Sequence, residues 1–252
     1  MSSAIVSLRD IDKAFGSNVV FEQLNLDIQQ GEILTLLGGS GCGKSVLLKM
    51  ILGLTDWQHG QVIVDGTDIT DLDEDAMLPV RRKVGMLFQG GALFDSLDVR
   101  ENIAYPLRER GVHDETKISE RVAEVLEMVA LPGVEAKLPA ELSGGMRKRV
   151  ALARAIAEVP KVIMYDEPTT GLDPINVRRI SELIVDIAGR LKTTAIVVTH
   201  DMASAFMISD RLAMIAERRV VEVAPTDAFR HSHNPIVREF LGAMDPSATG
   251  VA

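Results

Sequence analysis

The stretch Gly38–Ser45, GGSGCGKS, joins glycines that let a backbone approach a ligand closely to one lysine and one hydroxyl. Its spacing is G-x-x-x-x-G-K-[ST], and it lies between an apolar run, Glu32–Leu37, and a helical pattern, Lys44–Leu52. Successive N–H groups and a helix N-terminus there would cradle phosphate. Lys44 would hold the β- and γ-phosphates and the Ser45 hydroxyl would bind Mg²⁺; the plainer alternative is a glycine-rich turn. A second run, VIMYDEP (Val162–Pro168), delivers two carboxylates at the carboxyl end of a strand, where α/β proteins bind ligands. Asp166 would hold Mg²⁺ and Glu167 would accept a proton from attacking water. Alone, such a pair is a solvated strand end; the phosphate loop favours the catalytic reading. A third run, LSGGMRKRVALARAIA (Leu142–Ala157), starts a helix with Ser143 as N-cap and Gly144 and Gly145 exposing N–H groups. It is a second phosphate-binding end, and a symmetric dimer lets each subunit offer it to the other's ATP. Finally, TAIVVTHDM ends a strand on His200, read as a γ-phosphate sensor or as a structural histidine.

Positioning these groups requires strands alternating with helices, an α/β organisation. Strands are expected at Ile5–Arg9, Val19–Ile28, Glu32–Leu37, Gln61–Val64, Val84–Phe88, Val162–Tyr165, Ala195–Val198, Leu212–Ile215 and Val220–Val223. The early ones, split by turn signals, read as antiparallel, and those meeting helices as parallel. Residues 98–158 are mostly helical: Val99, Ile103 and Leu107 share one face, as do Val122, Val125, Leu126 and Val129. The chain is therefore expected to form one domain over residues 1–245. Its α/β body covers about 1–97 and 159–225, a helical subdomain about 98–158 and a helical extension about 226–245. Residues 246–252 are expected to be disordered. In the extension, Asn234 can cap, Pro235 suits the first helical position, and Ile236, Val237, Phe240 and Leu241 form a stripe that packs on its own body or on a neighbour.

The bulk numbers narrow the class. A net charge of −9 argues against a general nucleic-acid binder. The one cysteine, Cys42, excludes an intrachain disulfide and fits a reducing compartment. The start MSSAIVSLRD lacks a signal-peptide pattern and no 18 apolar residues run together, so the chain is expected not to span a membrane.

With these motifs in hand, the chain resembles an ABC-transporter ATPase over residues 4–225 or so. The resemblance implies a P-loop NTPase core with a mixed sheet, an N-terminal antiparallel β portion and a helical insertion. It assigns Gly38, Gly39, Ser40, Gly41, Cys42, Gly43, Lys44, Ser45 and Val46 to ATP, with Phe15 stacked on adenine. Gln89 would touch the metal and attacking water, His200 completes the catalytic set, and Ser143, Gly144, Gly145 and Asp173 act in trans. Two departures stand out: Met146 replaces the usual Gln of the signature, and Gly171 the usual Ala before Asp173.

GMLFQGGALFDSL, residues 85–97, ends an apolar strand on Gln89 and then places Ala92, Leu93, Phe94 and Leu97 in a loop. In this family that segment faces the membrane subunit, so the greasy loop is expected to be a docking surface; the alternative folds it over its own helices. FQGGALFDSLDVRENIAYPL, together with LSGGMRKRVALARAIA and YDEPTTGLDPI, is similar to the ATPases of Mla/Mce-type lipid transporters. That implies an ATP- and Mg²⁺-dependent homodimer, peripheral at the cytoplasmic face of the bacterial inner membrane. It would be held there by permease subunits, alongside a Mce-domain substrate-binding protein and a STAS-domain protein, with no nucleic acid. Alternatives are the ATPase of another ABC importer or exporter, or a non-transport ABC ATPase.

Overall fold

The computed structural model describes residues 4–244; the tail expected to be disordered, 246–252, lies outside the described residues. The chain divides into two compact units, the first running up to Arg81 and resuming at Ile196, the second comprising Arg82–Ala195.

In the first unit, β1 (Ala4–Phe15) pairs antiparallel with β2 (Asn18–Gln29). β1 runs well past the expected Arg9. Asp10 and Asp12 interrupt its apolar pattern, yet register shifts between Leu8 and Ile11, with Asp10 at φ 48°, carry the pairing on to Phe15. β3 (Ile33–Leu37) is buried at all five positions, as a central parallel strand must be. It leads into α1 (Lys44–Ile51). β4 (His59–Val64) joins β1 antiparallel, and a two-residue β5 (Thr67–Asp68), too short to read from sequence, closes the order β2-β1-β4-β5. α2 (Glu74–Arg81) follows.

The second unit opens with β6 (Val84–Leu87). Phe88, expected inside this strand, lies just past its end and is 38% exposed. α3 (Val99–Glu109) and α4 (Glu115–Met128) bury Val99, Ile103, Leu107, Val122, Val125 and Leu126, the stripes expected from their spacing. Asp98 and Asp114 cap the two helices. A 3₁₀ turn at Pro139–Glu141 precedes α5 (Gly144–Ile156), and β7 (Val162–Asp166) then pairs in parallel with β6. α6 (Pro174–Leu191) leads to β8 (Thr194–Val198), inside which the division between the units falls.

Back in the first unit come α7 (Met202–Ile208), β9 (Arg211–Ala216), β10 (Arg219–Pro225), α8 (Thr226–Arg230) and α9 (Pro235–Met244). β9 is parallel to β3 and antiparallel to β10, so this sheet is mixed. The expected α/β class, with a mixed sheet and a separate antiparallel one, is what forms. α9 settles on this unit: Val237 is fully buried with Leu37, Leu212, Met214 and Phe229, and Ile236, Phe240 and Leu241 pack at the margin. Asn234 caps it through Oδ1, which accepts from the Ile236 N–H at 3.0 Å.

Candidate functional site

The phosphate loop follows from the strand before it. β3 is locked in the core, and the chain leaves it through Gly38 and re-enters regular structure at α1. Gly43 makes the turn at φ 103°; a Cβ there would stand 2.6 Å from the Phe21 ring, so only glycine fits. The first turn of α1 holds no acidic residue, so the positive end of its dipole favours an anion. The Lys44 ammonium folds back to donate to the carbonyls of Gly38 at 2.8 Å and Gly39 at 2.9 Å. A phosphate would draw the same donors. Beside the loop lies a concavity of about 260 Å³ lined by Phe15, Asn18, Val20, Gly41, Gly43, Lys44, Ser45 and Val46. The aromatic at 15 is thus brought to the phosphate loop, 29 positions on along the chain at Lys44. Phe15 is 51% exposed. Gly38, Gly39, Ser40 and Cys42 belong to the loop without lining that concavity. His200 stands exposed after β8, just before Asp201, which caps α7 by accepting from the Ser204 N–H at 3.1 Å.

In the second unit β7 ends at half-buried Asp166, and Glu167 adopts φ 51°. A non-glycine residue there is strained by about 1–3 kcal/mol and is held only by its surroundings. Those are visible: Thr170 Oγ1 donates to Glu167 Oε2 at 3.0 Å, and the Thr170 N–H to the Glu167 carbonyl at 3.3 Å. Lys148, only 8% exposed, reaches from α5 to donate to the Thr170 carbonyl at 2.6 Å and the Glu167 carbonyl at 3.4 Å. Burial pushes the Lys148 ammonium below its usual range, against the pull of the Glu167 charge. Ser143 caps α5, its Oγ accepting from the Met146 N–H at 3.3 Å; Gly144 is exposed, while Gly145 is buried against Asn176. Asp173 caps α6: its carboxylate accepts from the N–H groups of Ile175 and Asn176 and from the Asn176 amide at 2.5 Å. The Asn176 N–H foremost holds its carboxyl below the usual range. Gln89 is exposed beyond β6.

Known proteins share this fold. The family model described as ABC transporter matches residues 21–170. The chain belongs to the ABC transporter family. A probable ribonucleotide transport ATP-binding protein of Mycobacterium leprae (strain TN) is 41% identical over 98% of this chain and 71% of its own length. The intermembrane phospholipid transport system ATP-binding protein MlaF of Escherichia coli (strain K12) is 38% identical over 95% of this chain and 89% of its own. Among solved structures, the dimeric ATP-binding cassette MJ0796 in a post-hydrolysis state bound to ADP and Pi superposes with TM-score 0.80 at 32% identity, covering 88% of this chain and 98% of that one. The cbiO1 protein of Clostridium perfringens gives TM-score 0.84 at 26% identity over 98% and 97%. This chain is an ABC ATPase subunit that binds and hydrolyses nucleotide. No helix among the described residues is long and apolar enough to cross a membrane.

This ABC ATPase uses residues that motif reading passed over. Lys148 lies three and four positions from buried Gly145 and Leu152, so a charge on the apolar face of α5 was the signal available. Asn102, fully buried, accepts from the Phe94 N–H at 2.8 Å and donates to the carbonyls of Phe94, Leu97 and Asp98 at 2.9–3.1 Å. Arg154 donates to the carbonyls of Gly91 and Ala92, with its guanidinium 5.7 Å from the Phe94 ring centroid. Between them the apolar loop is fixed with Phe94 42% exposed and its ring tilted at 52° against that of Tyr105, centroids 4.9 Å apart, Tyr105 itself being 43% exposed. Of the two departures, Gly171 sits at φ 78°, where alanine would be strained, and Met146 keeps its backbone in the Ser143 cap.

Proposed function

We propose that this ABC ATPase powers the movement of phospholipid, or a related hydrophobic molecule, through a partner permease at the cytoplasmic face of a bacterial inner membrane. The observation that carries the substrate class is the likeness over nearly the whole chain to proteins named for intermembrane phospholipid transport. Two copies close on two ATP molecules. In each site Lys44 and the N–H groups from Gly38 to Val46 hold the phosphates, and Phe15 stacks on the base. Ser143, Gly144, Gly145 and Asp173 of the second copy complete the site. Ser45, Asp166 and Gln89 would supply hard oxygen donors, a set that suits Mg²⁺, and that ion would neutralise developing phosphate charge. Glu167, held by Thr170 and the Lys148-braced turn, takes the proton of the attacking water, and His200 contacts the γ-phosphate. Residues 89–97 present Leu93 and Phe94 to the permease, so the loop bearing Gln89 ties nucleotide state to the membrane subunit. A Mce-domain protein and a STAS-domain protein complete the assembly.

A second reading is ribonucleotide transport, favoured by the 41% identical relatives of that name. The test reconstitutes the chain with its permease in liposomes and follows ATP-driven transfer of a fluorescent phospholipid beside uptake of a labelled ribonucleotide. Glu167→Gln should stop transfer and lower turnover roughly 10²–10⁴-fold while ATP still binds. Lys44→Ala should lose nucleotide binding itself. Ribonucleotide uptake without lipid transfer would overturn the substrate class, and near-normal turnover by Glu167→Gln would overturn the base.

A further inference from the structure

Phe15 ends β1, and Lys13, two residues earlier, points to the same face of that strand. The Lys13 ammonium stands 4.1 Å from the Phe15 ring centroid, a distance that places it over one face of the ring rather than at its edge. It also donates to Asp56 at 2.8 Å. The Lys13 side chain is 2% exposed and the Asp56 side chain 86% exposed, so a buried cation is tethered by a carboxylate that remains in water. Phe15 itself is 51% exposed, and with one face covered the exposure belongs to the opposite face and the edge. That ring lines the same concavity as Gly43, Lys44 and Ser45.

We propose that Lys13, tethered by Asp56, is a positioning residue that orients the Phe15 ring and prepares its open face for a purine base. A half-exposed aromatic at a strand end, just before the turn into β2, would otherwise lose rotamer freedom when a base stacked on it. The cation beneath selects one ring orientation beforehand, so less entropy is lost on binding. It also draws π density toward itself, leaving the other face less negative and better matched to an electron-rich purine. A buried lysine that served only β1 would need the Asp56 contact but not a place over the ring. The inference deepens the proposed stacking of Phe15 on the base and rests on that reading.

The test measures equilibrium binding of ATP and of inorganic tripolyphosphate to the full chain and its variants. Lys13→Met keeps the buried stem and removes the charge; it should raise the Kd for ATP roughly three- to tenfold. Tripolyphosphate, which has no base, should be affected much less. In a Phe15→Ala background Lys13→Met should add nothing, because the ring through which it acts is gone. Should Lys13→Met not fold, Asp56→Asn at an exposed position loosens the tether and should weaken ATP selectively, again only while Phe15 is present. Equal losses for ATP and tripolyphosphate, or equal factors with and without Phe15, would overturn the inference. Phe15→Ala weakening ATP while neither Lys13→Met nor Asp56→Asn does so would overturn it alone. Unchanged ATP binding by Phe15→Ala would overturn the stacking reading and the inference together.

Discussion

Replacing Asn102 with alanine should unpin the loop that displays Phe94. Four hydrogen bonds end on this one fully buried amide, yet they are unequal. The Phe94 carbonyl also accepts from the Leu97 N–H, and the Asp98 carbonyl from the Asn102 N–H, so both keep a partner. The Phe94 N–H and the Leu97 carbonyl are the groups stranded. At about 1–3 kcal/mol for each unsatisfied group, and with Phe94, Asp95 and Ser96 exposed enough for water to relieve part of it, the cost is about 2–4 kcal/mol. For a chain of this size that lowers the melting temperature by about 5–15 °C. Urea unfolding with an unchanged slope would measure the loss, and co-purification with the permease would show whether docking goes with it. Asn102→Asp keeps the acceptor for Phe94 but turns a charge toward three carbonyls, so it should cost at least as much as alanine. A loss under about 1 kcal/mol for alanine, or tolerance of aspartate, would refute the assignment of Asn102 as the anchor.

Gly43→Ala should abolish ATP binding and destabilise by about 1–3 kcal/mol, since the new Cβ meets the Phe21 ring 2.6 Å away at φ 103°; ATP titration and thermal unfolding check both effects. Leu93→Ala with Phe94→Ala should leave the free subunit folded and ATP-binding, because Phe94 is 42% exposed, while costing on the order of 2 kcal/mol or more per buried anchor at the permease; co-purification reads the loss. Truncation after Thr226 removes fully buried Phe229 and Val237 from the Leu37–Leu212–Met214 cluster, so the shortened chain should lose solubility and a cooperative melt before any partner is involved.

Local order carried much of this protein in its sequence. The phosphate loop could be read because its chemistry is set by consecutive backbone groups between one strand and one helix, and α1 begins at Lys44 as expected. The stripes of α3 and α4 and the cap of α9 are likewise periodic or adjacent features. What the sequence could not decide depends on contacts with no period. Lys13 meets Asp56 across 43 positions, and nothing in either neighbourhood names the other. Lys148 looks like one more charge in a basic helix until the fold buries it against the turn of Glu167 and Thr170. Asp173, expected to act in trans, also caps α6 by accepting from the N–H groups of Ile175 and Asn176, a local role that its motif did not announce. The stripe on α9 fits its own unit or a neighbour equally well as a pattern. Only the packing of Val237 beside Phe229 and Leu37 chooses, because an apolar face records that it must be covered and not by what.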